Sequence, residues 1–400
     1  MDAREHEDGA GERPGSLSLF EGRDGAGEPA GAGGEDAADG VDGPPEDGDP
    51  AAEAARGRRR RRTRRVLVWT LTALLVLIGA GIGGIYWTAE HYASSVERIP
   101  GAFPSVPESA QPKPVPGTGT TFLLVGLDAR SDVPTTGGQA KAPAWKEGAS
   151  RSDTMMLMHL SADRKSVSLV SIARDTWVPV PGHGMAKINA AYSWGGPPLM
   201  VDTVQKLTGI RIDHIAVIDW NGFKKLTDAV GGVDITIPQT IEAKGDAREW
   251  LKGTHHMSGE EALLYVRERH GLPNGDLDRT KRQQNFLRAL MIQTMNAGTL
   301  GNPGRLTGLL QAVGDVVSVD DRLSNSDLYD LGWSLRDVRP DDVRFMNAPF
   351  GGFDSIGGQD VVKLDDAAAA TLWEAIRNDR MTDYLAQHRT TSDTLGESVR

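Results

Sequence analysis

Residues 66–87, VLVWTLTALLVLIGAGIGGIYW, run for 22 positions without a charged side chain. That length spans a bilayer as one helix and excludes any plan in which the whole chain folds as a single aqueous domain. Trp69 and the pair Tyr86–Trp87 stand at its two ends, where aromatic belts lie. Immediately before it, RGRRRRRTRR (56–65) carries eight arginines and no acid. Basic residues flanking a span stay on the cytoplasmic side, so the reading is a single-pass protein with residues 1–65 inside the cell and everything after Thr88 outside. A cleaved export signal competes with this reading. The long preceding tail and the length of the apolar run favour an uncleaved anchor. The arginines next to the span read as topology and anionic-lipid contact rather than nucleic-acid binding. Gly79 and Gly83 have a spacing found at helix–helix contacts, though it also matches ordinary glycine use in a membrane helix.

Four further segments follow from composition. Residues 1–55 hold sixteen acids, three arginines and very few large apolar residues. Such a tail cannot offset its chain entropy by burial, so 1–65 reads as a disordered acidic tail ending in the basic run. Residues 88–118 are rich in Pro and Gly and read as a linker. From 119 to about 380 the pattern is globular, and 381–400 read as a flexible terminus. Residues 66–400 keep 39 acids and 33 bases, which gives no electrostatic footprint for nucleic acid. The absence of Cys excludes disulfides, thiolate metal sites and a cysteine nucleophile.

Within the globular part, strand and helix patterns alternate without repeats. TFLLVGLD ends as a buried strand, and TMMLMHL and SVSLVSI form a hairpin across SADRK. HIAVIDW is a strand followed by a helix begun by Asn221 and stopped by Gly231 or Gly232. Ser258 and Glu261 stand in capping-box spacing ahead of a helix over about 259–268. A longer helix starts from Asp278 as N-cap, has Gly298 past its end, and carries the apolar stripe Phe286, Leu287, Leu290, Met291 and Thr294. The expectation is an α/β domain built as α–β–α layers around a central mixed sheet.

Acid and arginine meet three times near strand ends: Asp128 with Arg130, Arg151 with Asp153, and Arg174 with Asp175. Strand ends are where α/β sheets often hold ligands. Five more cations, Arg267, Arg269, Arg279, Lys281 and Arg282, crowd sixteen residues of an otherwise acidic chain. On the helix, Arg279, Arg282, Gln283 and Phe286 share one side. Arginine forks suit phosphate oxygens. Two carboxylates, Asp128 and Asp153, are too few for an all-protein calcium cage but suit Mg²⁺, which keeps waters and substrate phosphates in its shell. Together these residues suggest a metal-assisted pyrophosphate site, although each acid–Arg pair alone could be a surface ion pair. Phosphate-loop, dinucleotide, HExxH and GxSxG signatures are absent. His255–His256 reads as a loop pair, Met155, Met156 and Met158 as core strand. Trp145, Trp177 and Trp194 read mainly as packing, with sugar stacking open for one of them. Residues 133–149 match no known pattern.

GLDAR, RSDTMMLMHL, SIARDTWVPVPGHGMAKINAAYSWGG, IDHIAVIDWNGF, AVGGVDITI, MSGEEALLYVRER and DLDRTKRQQ, in this order, resemble the LytR–CpsA–Psr family of bacterial cell-envelope proteins. The resemblance is strong from Thr121 to Asn296 and extends toward Asp379. The bias toward Ala, Gly, Arg and Asp resembles that of actinobacterial proteins. The resemblance implies an Mg²⁺-dependent (or Mn²⁺-dependent) phosphotransferase at the cell membrane. It would move a glycopolymer from a polyprenyl-pyrophosphate donor to a peptidoglycan acceptor through a phosphodiester. By resemblance, Asp128 and Asp153 hold the metal, and Arg151, Arg174, Lys187, Arg267, Arg269, Arg279 and Gln283 bind the pyrophosphate and head group. Arg174, Asp175 and Asp153 are the catalytic candidates, with the general base left open between Asp175 and none of these. Asn189 falls in a further motif, and Ala173 stands where the family often has Pro. A lipid-pyrophosphate hydrolase and a non-catalytic wall-binding or regulatory protein are the alternative readings.

Overall fold

The computed structural model describes residues 96–388 apart from 116, 130–132, 238, 242–247, 269–275 and 297–302. Among the described residues no helix is long and apolar enough to cross a membrane. The expected span, Val66–Trp87, and the acidic tail lie outside them.

The frame is a seven-stranded mixed sheet, ordered β1 (Glu97–Ile99), β10 (Val317–Asp320), β7 (His214–Asp219), β2 (Thr120–Ala129), β3 (Ser150–Leu160), β4 (Val167–Ile172) and β11 (Val343–Asn347). The β2–β3–β4 meander is antiparallel, while β7 joins β2 and β11 joins β4 in parallel. Parallel pairing needs crossovers, and helices supply them on both faces. This is why the central strands read as apolar runs rather than alternating ones. Leu123, Val125, Leu127, Met155 and Leu157 fill one face with α1 (Asn189–Thr208), α7 (Asp366–Arg377) and α8 (Met381–Gln387). Phe122, Met156, Leu160, Leu169 and Phe345 belong to a second cluster, joined by Leu287 and Met291 of α4 (Asp276–Asn296). Each fully buried side chain of this kind contributes about 1.5–3 kcal/mol.

Four expectations are corrected. Part of the segment read as linker belongs to the domain: Glu97–Ile99 pair with β10, and Ala102 and Phe103 are core residues. The first seven residues of the terminus read as flexible form α8, whose Met381 is buried, because Met381, Tyr384 and Leu385 share an apolar side that covers the first core. The helix after β7, α2 (Trp220–Ala229), is capped by Asp219, not begun by Asn221. The Asp219 side chain accepts from the Gly222 N–H at 2.7 Å. Finally, α4 starts at Asp276, two residues ahead of the expected cap. Acidic residues at 276 and 278 both suit a first turn, and sequence alone does not separate first turn from cap.

The sequence SWGGPP bends α1. Gly196 has φ 62° and a Trp145 ring carbon would lie 2.7 Å from a Cβ placed there, so glycine is required on two counts. Pro197 and Pro198 then open the second half of the helix, where their missing N–H groups cost nothing.

The capping box on α3 (Gly259–Arg267) forms as expected. The Ser258 N–H, followed by the Arg248 side chain, holds the Glu261 carboxyl below the usual carboxylate range. A depressed carboxyl adds stability that is present above its unfolded value and is lost as pH falls through its folded value. Glu261→Gln is therefore expected to lower the melting temperature at neutral pH. That difference should close as the pH is taken below the carboxylate range, and a gap unchanged by acid would refute the assignment.

Candidate active site

β2 and β3 run on together past the core, and their ends carry the first acids. Asp128 pairs with Arg151 across the ladder, and the register shifts just before this pair. Gly126 faces Thr154 but Leu127 faces Ser152, so Asp153 is the extra residue of a bulge. A bulge re-aims side chains at a strand end. Asp128 and Asp153 thus lie within the strands rather than in loops after them, and Asp153 is 8 % exposed. Arg130 and Arg269 lie outside the described residues.

Arg174 sits in the turn after β4. Its backbone is fixed on two sides: the Asn189 N–H donates to the Arg174 carbonyl, and the Val362 N–H from β13 (Gln359–Leu364) donates to that of Asp175. Thr176 closes the same turn onto Ala173 through both its N–H and its hydroxyl. From this turn Arg174 Nη1 donates to Asp153 Oδ1 at 2.6 Å. Asp175 lies between Arg174 Nε at 3.6 Å and Lys187 Nζ at 3.1 Å. Two of the three acid–Arg pairs are thereby gathered into one charged cluster.

On the apolar side of this cluster stands Trp220, which no acid–Arg spacing singles out. Trp220, the first residue of α2, donates from Nε1 to Asp128 Oδ1 at 2.9 Å. The Arg267 guanidinium lies 5.4 Å from the Trp220 ring centroid, in cation–π range. Arg279 is 4 % exposed and reaches the Asp153 carbonyl at 3.5 Å, the long limit of a hydrogen bond. Arg282 turns the other way: it donates to the Glu268 carbonyl at 3.0 Å and lies over the Tyr265 ring, tying α4 to the end of α3. Gln284 is fully buried, with Nε2 2.7–2.9 Å from Ser171 Oγ, Met346 O and Asn347 Oδ1, so it clamps α4 to β4 and β11. The only signal for Gln284 was its place beside Gln283, and for Trp220 its place in the stretch IDHIAVIDWNGF.

Residues 133–149, for which no pattern was found, strap this region. Thr135 donates from both N–H and hydroxyl to Asp219 Oδ2, at 2.6 and 2.9 Å. Thr136 accepts from the Asp219 N–H and donates to Val316 O. His255 and His256 lie not in a loop but on β9 (Gly253–Met257), which pairs with β8 (Val233–Ile237); His256 bonds Asp234 at 2.8 Å, away from the cluster.

Two cavities open on either side. A polar one of about 520 Å³ is lined by Arg151, Arg174, Asp175, Lys187, Trp177 and Trp194, among others. An apolar one of about 220 Å³ is lined by Leu124, Met156, Trp220, Phe223, Phe286 and Leu287, with Thr154 and Gln283 at its polar points. β3 joins them: Arg151 lines the first, Thr154 and Met156 line the second, and Asp153 stands between. Three residues of strand cover about 10 Å.

Residues 105–378 match the model of the LytR_cpsA_psr family. The chain belongs to that family. Cell wall biosynthesis protein LcpA of Corynebacterium glutamicum is 33 % identical over 278 residues, 62 % of this chain and 53 % of that protein. The probable cell wall biosynthesis protein LcpB of the same organism is 40 % identical over 187 residues, 47 % and 45 % of the two chains. The chain thus spans about half the length of these curated relatives. The crystal structure of B. subtilis TagV covers 67 % of this chain and 99 % of its own at 24 % identity, with TM-score 0.54. TagT bound to LI-WTA covers 70 % and 99 % at 24 % identity, with TM-score 0.52. These two likenesses establish the LytR_cpsA_psr fold of the domain.

Proposed function

We propose that this protein is a membrane-anchored phosphotransferase of cell-wall assembly, which moves a glycopolymer from a polyprenyl-pyrophosphate carrier to peptidoglycan. The observation that carries the reading is the join between the two cavities. One set of side chains, Asp128, Asp153, Arg174 and Trp220, links an apolar cavity to a cationic one. A lipid pyrophosphate has the same order of parts: apolar tail, two phosphates, sugar.

In this reading the prenyl tail lies against Phe223, Phe286 and Leu287. Arg151, Arg174 and Lys187 hold phosphate oxygens, Arg174 by its fork. Arg279 and Arg267 fix the two acids from behind, one through the Asp153 carbonyl and one through the Trp220 ring. An acceptor hydroxyl of peptidoglycan attacks the sugar-side phosphorus. The bridging P–O bond breaks, polyprenyl phosphate leaves with the electron pair, and the hydroxyl proton passes to a base. Asp175, held between two cations, acts here to position Arg174 and Lys187. The arginines meet the charge that develops on the transferring group, where preorganised donors have their largest effect.

The donor set fits a divalent cation. Asp128 and Asp153 each use Oδ1 for a protein donor, and among the described residues no group of three or more His, Cys, Asp or Glu gathers. Two carboxylates suit Mg²⁺, which keeps waters and substrate phosphates in its shell. When bound, the ion would offset negative charge on the pyrophosphate oxygens.

The test is a transfer assay with the full chain in detergent, a polyprenyl-pyrophosphate oligosaccharide and short peptidoglycan strands, with and without Mg²⁺, read by mass spectrometry. A phosphodiester-linked glycan on peptidoglycan, lost when the metal is withheld, is the expected product. Free sugar phosphate without an adduct would replace the transferase by a hydrolase. Bound but unconverted donor would leave a binding protein.

A further inference from the structure

The polar cavity has a wall that the phosphate chemistry does not use. Trp194 is 39 % exposed and stacks on His183, with centroids 4.8 Å apart and planes 26° apart. That stack occupies one indole face, yet Trp194 still lines the cavity together with Trp177. Met185, on the hairpin of β5 (Trp177–Val180) and β6 (Gly184–Lys187), is 52 % exposed and lines the same wall. Trp145, by contrast, packs on Gly196. Large apolar side chains left at the surface of a concave site mark contact with a ligand.

What surrounds them narrows the ligand. Asn189, Ser193 and Gln359 line the cavity beside the two indoles, and the cations Arg151, Arg174 and Lys187 line it as well. A pyranose ring carries C–H bonds on its faces and hydroxyls around its edge. It therefore matches an aromatic wall with amide and hydroxyl groups around it, and amphipathic indoles suit such half-wet contacts. An apolar tail has no use for Asn189, Ser193 and Gln359, whose amides and hydroxyl would lose water without gaining partners. We propose that Trp194 and Trp177 form a saccharide subsite next to Arg174, which takes a sugar ring of the glycan being transferred or of the peptidoglycan strand. This inference rests on the donor reading given above and names the sugar-binding part of that site.

The experiment measures binding calorimetrically with the full chain in detergent. It compares wild type, Trp194→Ala, Trp194→Phe and, as an exposed control elsewhere on the surface, Trp333→Ala (Trp333 is 44 % exposed). Three probes are used: bare polyprenyl pyrophosphate, the same lipid carrying an N-acetylglucosamine disaccharide, and a soluble uncrosslinked peptidoglycan tetrasaccharide. Trp194→Ala is expected to weaken one of the two sugar probes about tenfold, with Trp194→Phe recovering most of the loss and bare lipid unchanged. Loss confined to the glycosylated lipid assigns the subsite to the donor; loss confined to the tetrasaccharide assigns it to the acceptor. Unchanged affinity for both sugars overturns the proposal, as does an equal loss with bare lipid, which would mean a damaged fold or a phosphate contact. Arg174→Ala keeps the two readings apart. If it leaves bare polyprenyl pyrophosphate binding intact, the donor reading fails, while the sugar comparison at Trp194 stands on its own.

Discussion

Arg174→Ala is expected to lower the proposed glycan transfer about a thousandfold, because arginines that meet a transferring phosphoryl group contribute on the order of 10³ or more. Two losses combine. The guanidinium no longer holds phosphate oxygens, and Asp153 loses the Nη1 donor 2.6 Å from its Oδ1 while remaining buried. Arg174→Lys should recover little, since an ammonium cannot reach Asp153, Asp175 and a phosphate with one planar fork. The turn itself should survive both changes, because Asn189 and Val362 fix it through backbone groups that no side chain at 174 supplies. The measurement is the rate of phosphodiester product formation, with the melting temperature followed alongside. A variant that keeps more than about a tenth of the wild-type rate would remove Arg174 from the proposed chemistry.

Asp219→Ala is expected to cost about 4–7 kcal/mol and to lower the melting temperature by about 10 °C or more. Asp219 is 3 % exposed and accepts three hydrogen bonds, two from Thr135 and one from the Gly222 N–H that caps α2. A cap contributes about 1 kcal/mol, and bonds to a charged acceptor about 1.5–3 kcal/mol each. Removing the carboxylate leaves the Thr135 and Gly222 donors buried without it. Asn is not a remedy, because its amide can satisfy one side only and turns a donor toward the other. The loss reaches the site, since Trp220, which holds Asp128, is the residue next to this cap. Differential scanning calorimetry of the full chain reads the effect. A shift below about 2 °C would show that the 133–149 strap and the α2 cap are held by other contacts.

Residues that the sequence singled out one pair at a time come together in the fold. Asp128, Asp153, Arg174, Asp175 and Lys187 were named from acid–Arg spacing and family resemblance. In the fold, Asp153, Arg174, Asp175 and Lys187 form a chain of ion pairs, with Asp128 and Arg151 paired across the adjoining strands. What went unread has a common cause. Trp220 acts on Asp128 across 92 positions of sequence, and Gln284 acts on Ser171 across 113. Neither has a local signature, because each looks like an ordinary residue at the start or on the side of a helix. Asp219 could have been recognised as a cap, but its second task of receiving Thr135 depends on where an unpatterned loop comes to rest.

Local physics is short-ranged, and this sets the division. Apolar runs in β2, β3 and β4, the Ser258 capping box and the GGPP break in α1 are decided by neighbours a few residues away, so the sequence by itself determined them. The same holds for the mixed α/β class, which follows from alternating strand and helix patterns. Tertiary structure alone decided the bulge that makes Asp153 the extra residue beside the Asp128–Arg151 pair. It also decided the recruitment of Glu97–Ile99 and α8 into the domain, and the two cavities meeting at β3. Those features depend on pairing register and on surfaces brought together from distant parts of the chain, and no window of sequence contains both partners.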